Sequence, residues 1–369
     1  MFTVIHPHLT STTVKMTAPW VCRSCRTAQI ARVLRQTRRQ LSSNSRYFQI
    51  SEEVRQAISE RRPVVALETT IYTHGFPYPD NLALASRLES LVRIHGGVPA
   101  TIGILDGVAH VGMGADQLMR LVSCAGQPNL RKVSRRDFGF VLGMSTSDGK
   151  PINGGTTVAG TSVLAHMAGI RIFATGGLGG VHRGAEQTMD ISADLTELGR
   201  TPVAVISSGC KSFLDLAKTL EYLETQGVAV ATFADGRDGP VDFPAFYSRD
   251  SGIRSPAVVR DELEAAKVLH AHYSLGLQSG LHFASPIPEK HSIPHAKMEQ
   301  SIAIALAEAD RHGVNGAAAT PYILDKIKEL TANKSVEANR ALAENNVIRG
   351  TKVAVELQRL EREELSRSE

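Results

Sequence analysis

The chain has 369 residues, 42% of them hydrophobic and 21% charged, the balance of a globular protein with room for one large core or two modest ones. It holds no run of 18 or more apolar residues, so no membrane-spanning helix is expected and no membrane partner. The formal charge of +4 comes from residues 1–51, which carry eight basic side chains and no acid. The remaining 33 basic and 37 acidic residues form a mildly acidic body, without the field that would attract a nucleic-acid backbone.

Residues 1–49 are rich in Arg, Ser and Thr, and Ile30–Arg35 can form a short helix with one apolar and one basic face. That composition reads as a mitochondrial transit peptide, with the cytoplasm as the alternative destination. Cys22 and Cys25 make a C-x-x-C in this leader, but no second pair follows at zinc-ligand spacing. Together with Cys124 and Cys210 they read as free thiols of a reducing compartment.

From about Phe48 the pattern becomes regular. The first predicted pieces are a strand at Pro63–Leu67, a helix at Asn81–His95, and strands at Ala100–Leu105 and Phe138–Leu142. A helix at Thr161–Ala168, a strand at Arg171–Ala174 and a helix at Ile191–Leu198 follow. Next come the strand Val203–Ser207, the helix Phe213–Gln226 and the strand Val228–Phe233. Asp235–Pro256, rich in Gly, Pro, Asp and Ser, reads as a long surface loop. After the helix Asp261–Leu275 and the strand Gly280–Ala284, the chain turns helical: Ala296–His312, Pro321–Leu330 and Val336–Leu360. Alternating strands and helices predict one domain over residues 50–369, a three-layer α/β/α fold with a largely parallel sheet. The helical C-terminal region reads as a cap or an interface layer.

Ligands in such sheets bind beyond the carboxyl ends of the strands. Glu68-Thr69-Thr70 follows the first predicted strand, Thr175–Gly184 follows Arg171–Ala174, and Ser208–Ser212 with Lys211 follows Val203–Ser207. The glycines at 176, 177, 179, 180 and 184 do not match a dinucleotide fingerprint, since the third glycine of that motif would fall on His182. They suit close approach of the backbone to a small anion or sugar. Lys132, Ser134, Arg135 and Arg136 make a basic, hydroxyl-bearing segment that suits phosphate, with Lys132 the leading candidate. In an extended segment at least one of these four would face away. Glu186, Asp190 and Asp194 are spaced to share a helix face.

Several blocks resemble the pseudouridine-5′-phosphate glycosidases. They are Ala66–Thr70 with His74-Gly75, Lys132–Asp137, Asn153–Val158, Phe173–Leu195, Cys210–Asp215, Ala284–Pro288, Ala338-Asn339 and Asn345-Asn346. The resemblance covers roughly residues 50–362. It implies a lyase that splits pseudouridine 5′-phosphate into uracil and ribose 5-phosphate through a lysine Schiff base. On matching positions, Lys211 is the implied nucleophile and Glu68 the proton donor. Lys132, Val158, Ser192, Ala193, Asp194 and Asn339 are the implied substrate contacts. Asp190 is the implied ligand of one manganese ion, with magnesium as the alternative. A homotrimer is also implied. Some eukaryotic relatives carry a fused sugar-kinase module; this chain ends too early to contain one, so the expectation is either a separate pseudouridine kinase or a module beyond this sequence.

The chemistry agrees with these residue types. A carbon–carbon glycosidic link has no oxygen to protonate as leaving group, so the paired-carboxylate mechanism of ordinary glycosidases does not suffice. An amine that traps C1′ as an iminium supplies an electron sink. Such an amine must be uncharged, although an exposed lysine titrates near about 10.4. Burial, a nearby cation, or the N-terminus of the helix expected at Phe213 would favour the neutral form of Lys211. Glu68, at the end of an apolar strand, is placed for a raised pKa.

Overall fold

The computed structural model describes residues 44–314 and 319–368. The leader lies almost wholly outside the described residues, as do Cys22 and Cys25. The chain opens with β1 (Asn44–Ser45), β2 (Phe48–Ile50), α1 (Glu52–Ser59), β3 (Val64–Leu67), α2 (Asp80–Ile94), β4 (Val98–Leu105), β5 (Val108–Val111) and α3 (Ala115–Ser123). It continues through β6 (Leu130–Val133), α4 (Phe138–Gly143), β7 (Asn153–Thr156), α5 (Val158–Ala168), β8 (Ile172–Ala174), α6 (Ala185–Thr188), α7 (Ala193–Leu198) and β9 (Ala204–Ser207). The rest is α8 (Leu216–Thr225), β10 (Ala229–Phe233), β11 (Val258–Val259), α9 (Glu262–Ser274), β12 (Leu281–Ala284), α10 (His295–Arg311), α11 (Ala319–Leu330) and α12 (Lys334–Ser368).

Seven strands run parallel in the order β4-β3-β8-β9-β12-β10-β11. Helices lie on both sides of the sheet. The sequences VVAL, IFA and AVIS of β3, β8 and β9 are apolar without alternation and wholly buried, as strands covered on both faces must be. The longer β4 serves two partners in succession. Val98–Thr101 pairs with β3, and Ile102–Leu105 turns antiparallel to β5. β7 also joins β4 antiparallel and carries β6 alongside it in parallel.

The three-layer expectation holds, and six of the seven predicted strands form within two residues of their expected bounds. Phe138–Leu142 does not: it is α4. A reciprocal cap starts a helical turn there, with the Ser134 N–H donating to Asp137 Oδ2 over 2.8 Å. Of this helix only Val141 is buried, so nothing recruits it to a sheet. The expected surface loop 235–256 is not all surface, since Val241, Phe243, Ala245, Phe246 and Tyr247 are buried.

The C-terminal helices also differ from a cap. α12 packs against β3, β8 and β9 and against α2 and α9, forming part of the layer over the sheet. Ala338, Leu342, Ala343, Asn346, Val347, Val353, Ala354 and Leu357 are buried at spacings of three and four, one face of a helix. A Cβ on Gly350 would stand 3.0 Å from the Ala174 Cβ, so this glycine lets the helix lie close on β8.

Candidate active site

A cavity of about 270 Å³ opens at the carboxyl ends of β3, β8 and β9. Its lining contains Glu68, Lys132, Val158, Asp190, Ser192, Ala193, Asp194, Lys211 and Asn339, every site position expected from the sequence. Parallel topology explains the convergence. Glu68 is the first residue after β3, the glycine loop follows β8, and Lys211 stands four residues beyond β9.

Glu68 is 9% exposed and hydrogen-bonded by the Thr175 hydroxyl. Burial pushes its carboxyl up to about 7, against opposing pulls from the Thr175 bond and from Lys211 and Lys132. At neutral pH it is therefore both a competent acid and a competent base. The two threonines after it anchor the strand end. Thr69 Oγ1 donates to Ile102 O (2.8 Å) and accepts from Thr156 N–H (3.0 Å), while Thr70 Oγ1 donates to Gly155 O (3.0 Å).

Lys132 lies on β6 opposite Gly155. Burial, and after it the positive charge of Lys211, hold the Lys132 amine below the usual lysine range. Ser134 and Arg136 join it in the cavity wall, and Ser134 Oγ is 2.9 Å from Thr157 Oγ1 at the start of α5. Arg135 is the member of the segment that turns away. It forks onto Glu197, whose side chain is 1% exposed, and is absent from the lining.

Asp194 ties three elements together. Its Oδ1 accepts from the Ala159 N–H of α5 and its Oδ2 from the Gly179 N–H of the glycine loop, each over 2.9 Å. Ser192 caps α7. The expected common helix face of Glu186, Asp190 and Asp194 does not exist. α6 ends after one turn at Met189, whose backbone is left-handed (φ 56°), and α7 begins only at Ala193. Glu186 turns outward to pair with Lys218 over 2.8 Å. Asp190 remains in the cavity with its Oδ2 3.8 Å from His182 Nδ1. Burial keeps the His182 imidazole below its usual value despite the Asp190 charge.

Lys211 is held by its backbone, its N–H donating to Leu178 O over 3.1 Å. The helix expected at Phe213 starts at Leu216 with Asp215 as its cap, so no helix N-terminus acts directly on the Lys211 amine. The cation beside it is Lys132. The glycines of the loop serve packing first. A Cβ on Gly177 would fall 2.5 Å from the Phe246 ring, and one on Gly180 2.6 Å from Thr219 Oγ1.

Residues 53–356 match the family described as indigoidine synthase A-like proteins. The chain belongs to this family. A protein named pseudouridine-5′-phosphate glycosidase from Caldanaerobacter subterraneus is 48% identical over 319 residues, 86% of this chain and 99% of that protein. One of the same name from Arabidopsis thaliana is 46% identical over 311 residues, 84% of this chain and 90% of its own. Among solved structures, the prealnumycin C-glycosynthase AlnA in complex with ribulose 5-phosphate shares 35% identity. Its TM-score is 0.76, over 87% of this chain and all of that one. An indigoidine synthase A-like protein from Thermotoga maritima shares 33% identity at a TM-score of 0.73, over 85% of this chain and 97% of that one.

This member of the indigoidine synthase A-like family has pocket walls that sequence reasoning passed over. Thr320, Pro321 and Leu324 come from α11, and Phe246 from the segment read as surface loop. Apart from the Thr320 hydroxyl none carries a polar side chain, so only their apolar or small character could have marked them. His74, of the Ala66–Thr70/His74-Gly75 motif, belongs to the same wall. It lines the cavity with Nδ1 2.8 Å from Thr73 Oγ1.

Proposed function

We propose that this protein is a pseudouridine-5′-phosphate glycosidase, with Lys211 as nucleophile and Glu68 as proton donor. The observation that carries this is one cavity holding both groups, with the Glu68 carboxyl pushed up to about 7. The names of relatives that align over nearly their whole length support the substrate. The pentose phosphate in the AlnA complex supports a phosphorylated five-carbon sugar.

In the first step the Lys211 amine attacks C1′, the C1′–O4′ bond breaks and Glu68 delivers its proton to O4′. In the second, the Glu68 carboxylate takes a proton from the alkylated nitrogen and passes it to uracil C5, the C5–C1′ bond breaks and its electrons restore the uracil double bond, and the freed nitrogen lone pair forms C1′=N. Water then adds to the iminium, releasing ribose 5-phosphate and the free amine. No oxidant or reductant is needed, and each step can run backwards. The positive charge of Lys132, on the cavity wall, serves the substrate phosphate by attracting the dianion. Val158, Ser192, Ala193, Asp194 and Asn339 complete the substrate contacts.

Sodium borohydride added with ribose 5-phosphate is expected to fix one pentose phosphate on Lys211, located by peptide mass spectrometry. Lys211→Ala with normal uracil release would reject the nucleophile.

Asp190 is proposed to hold one Mn²⁺ or Mg²⁺. Among the described residues no group of three His, Cys, Asp or Glu converges on a point. A single carboxylate such as Asp190 is a hard oxygen donor of the kind that suits an ion keeping most of its own water. When bound, the ion supplies positive charge to substrate oxygens. Asp190→Asn is expected to abolish Mn²⁺ binding by titration calorimetry, and unchanged affinity would discard the site. The homotrimer and the mitochondrial reading of residues 1–49 belong to the same proposal. Sedimentation and organelle import assays test them.

A further inference from the structure

Beneath the Lys211 turn lies a buried polar chain that the reaction above does not use. His282 on β12 is 0% exposed, and its Nε2 is 2.9 Å from Ser207 Oγ at the end of β9. The Ser207 hydroxyl donates to Gly209 O over 3.0 Å. A hydroxyl has one proton, so with that proton on Gly209 O the His282 Nε2 must carry its own hydrogen and donate it to Ser207 Oγ. Nδ1 is then a bare acceptor, and it is buried without a partner. Burying an imidazole costs desolvation that an aliphatic side chain would avoid, so the histidine stands out at a site of this kind. Burial lowers its pKa to about 3, which keeps the ring neutral at any working pH.

The recipient of this chain is the turn that presents the amine. Gly209 O also accepts the Leu178 N–H over 3.0 Å, and two residues on the Lys211 N–H returns to Leu178 O. Gly209 has a left-handed backbone (φ 75°), and a Cβ there would stand 3.0 Å from the Phe243 ring and strike Pro244 O. Phe243 in turn packs edge-on against His282, ring centroids 5.7 Å apart. The same histidine therefore braces the turn by a hydrogen-bond chain and through an aromatic ring.

We infer that His282 and Ser207 are positioning residues that fix the Gly209–Lys211 turn, and with it the attack geometry of the Lys211 amine. This rests on the proposed role of Lys211. Positioning affects the attack far more than the holding of substrate, since a shift of about 1 Å can cost on the order of 100-fold in rate.

The test follows borohydride trapping of ribose 5-phosphate against time in the full chain. It compares wild type with Ser207→Ala, His282→Leu, His282→Gln and the double variant Ser207→Ala/His282→Leu, each checked for folding by circular dichroism. Trapping is expected to slow at least about tenfold in Ser207→Ala and His282→Leu, with KM for pseudouridine 5′-phosphate changed less than about twofold. His282→Gln, which keeps a donor, is expected to recover part of the rate. The double variant is expected to be no slower than the slower single one, because both cut one chain. A folded Ser207→Ala protein that traps at the wild-type rate overturns the inference, even if His282→Leu fails to fold. Wild type that is never trapped on Lys211 overturns the nucleophile instead, so the two failures are distinguishable.

Discussion

Glu68 links a single side chain to both rate and stability. Its folded value near 7 lies above the ordinary 4.5 of an unfolded glutamate. Below pH 4.5 both states are protonated and the contribution to stability is intact. As pH rises through about 7 the native carboxyl must ionise in a buried site, and roughly 3 kcal/mol is lost. Glu68→Gln removes that penalty, so its melting temperature should exceed that of wild type at pH 8 and approach it at pH 4. The same variant should lose about 100- to 10,000-fold in kcat, the usual range for a general acid. Wild-type turnover should fall as pH rises beyond about 7, since the donor is then unprotonated. A flat profile from pH 6 to 9 would remove Glu68 from that role.

At the scale of elements, the segment Lys132–Asp137 divides its labour within six residues. The end of β6 sends Lys132 into the cavity, while the helical turn that follows sends Arg135 to Glu197 on α7. Burial would raise the Glu197 carboxyl, but hydrogen bonds from Arg135, Thr201 and Arg200 outweigh it and leave it low. Arg135→Ala leaves two of those partners in place. It should lower stability by about 1–3 kcal/mol, read by urea unfolding, with turnover within about twofold of wild type. A large loss of turnover with unchanged stability would mean that Arg135 reaches substrate after all. Six of the seven parallel strands, all but the two-residue β11, were legible because each is a short apolar run closely followed by polar or glycine residues. β7 was not, because Asn153-Gly154-Gly155-Thr156 has no apolar alternation. Its glycine at 154 answers to a neighbour, a Cβ there falling 2.6 Å from Val133 Cγ2. α4 was misread because Phe-Gly-Phe-Val-Leu has strand-like content, while its local cap decides for helix.

For the whole molecule, the residues proposed to react were marked by sequence blocks and the frame around them less so. Glu68 and Lys211 stand just after apolar strands, which the sequence shows, while the roles proposed for them come from the family resemblance; parallel topology brings both into one cavity. The walls from α11 and Phe246 required the fold, since packing in three dimensions leaves no periodic trace in sequence. Ser43–Glu369 forms a compact unit by itself. A protein beginning at Ser43 should therefore unfold in one cooperative transition and release uracil at the full-length rate, by calorimetry and a coupled assay. A broad or split transition would contradict this. The position of α12 in the chain has a further consequence. Asn346 donates to Thr175 O (2.8 Å) and Gly176 O (3.2 Å) and bonds Ser208 Oγ (3.1 Å), fastening the loops after β8 and β9 from the helix that lies on those strands. Those loops leave the ribosome more than a hundred codons before their fastener does. During synthesis the turn that carries Lys211 therefore stays unpinned until the C-terminal helix has emerged and docked.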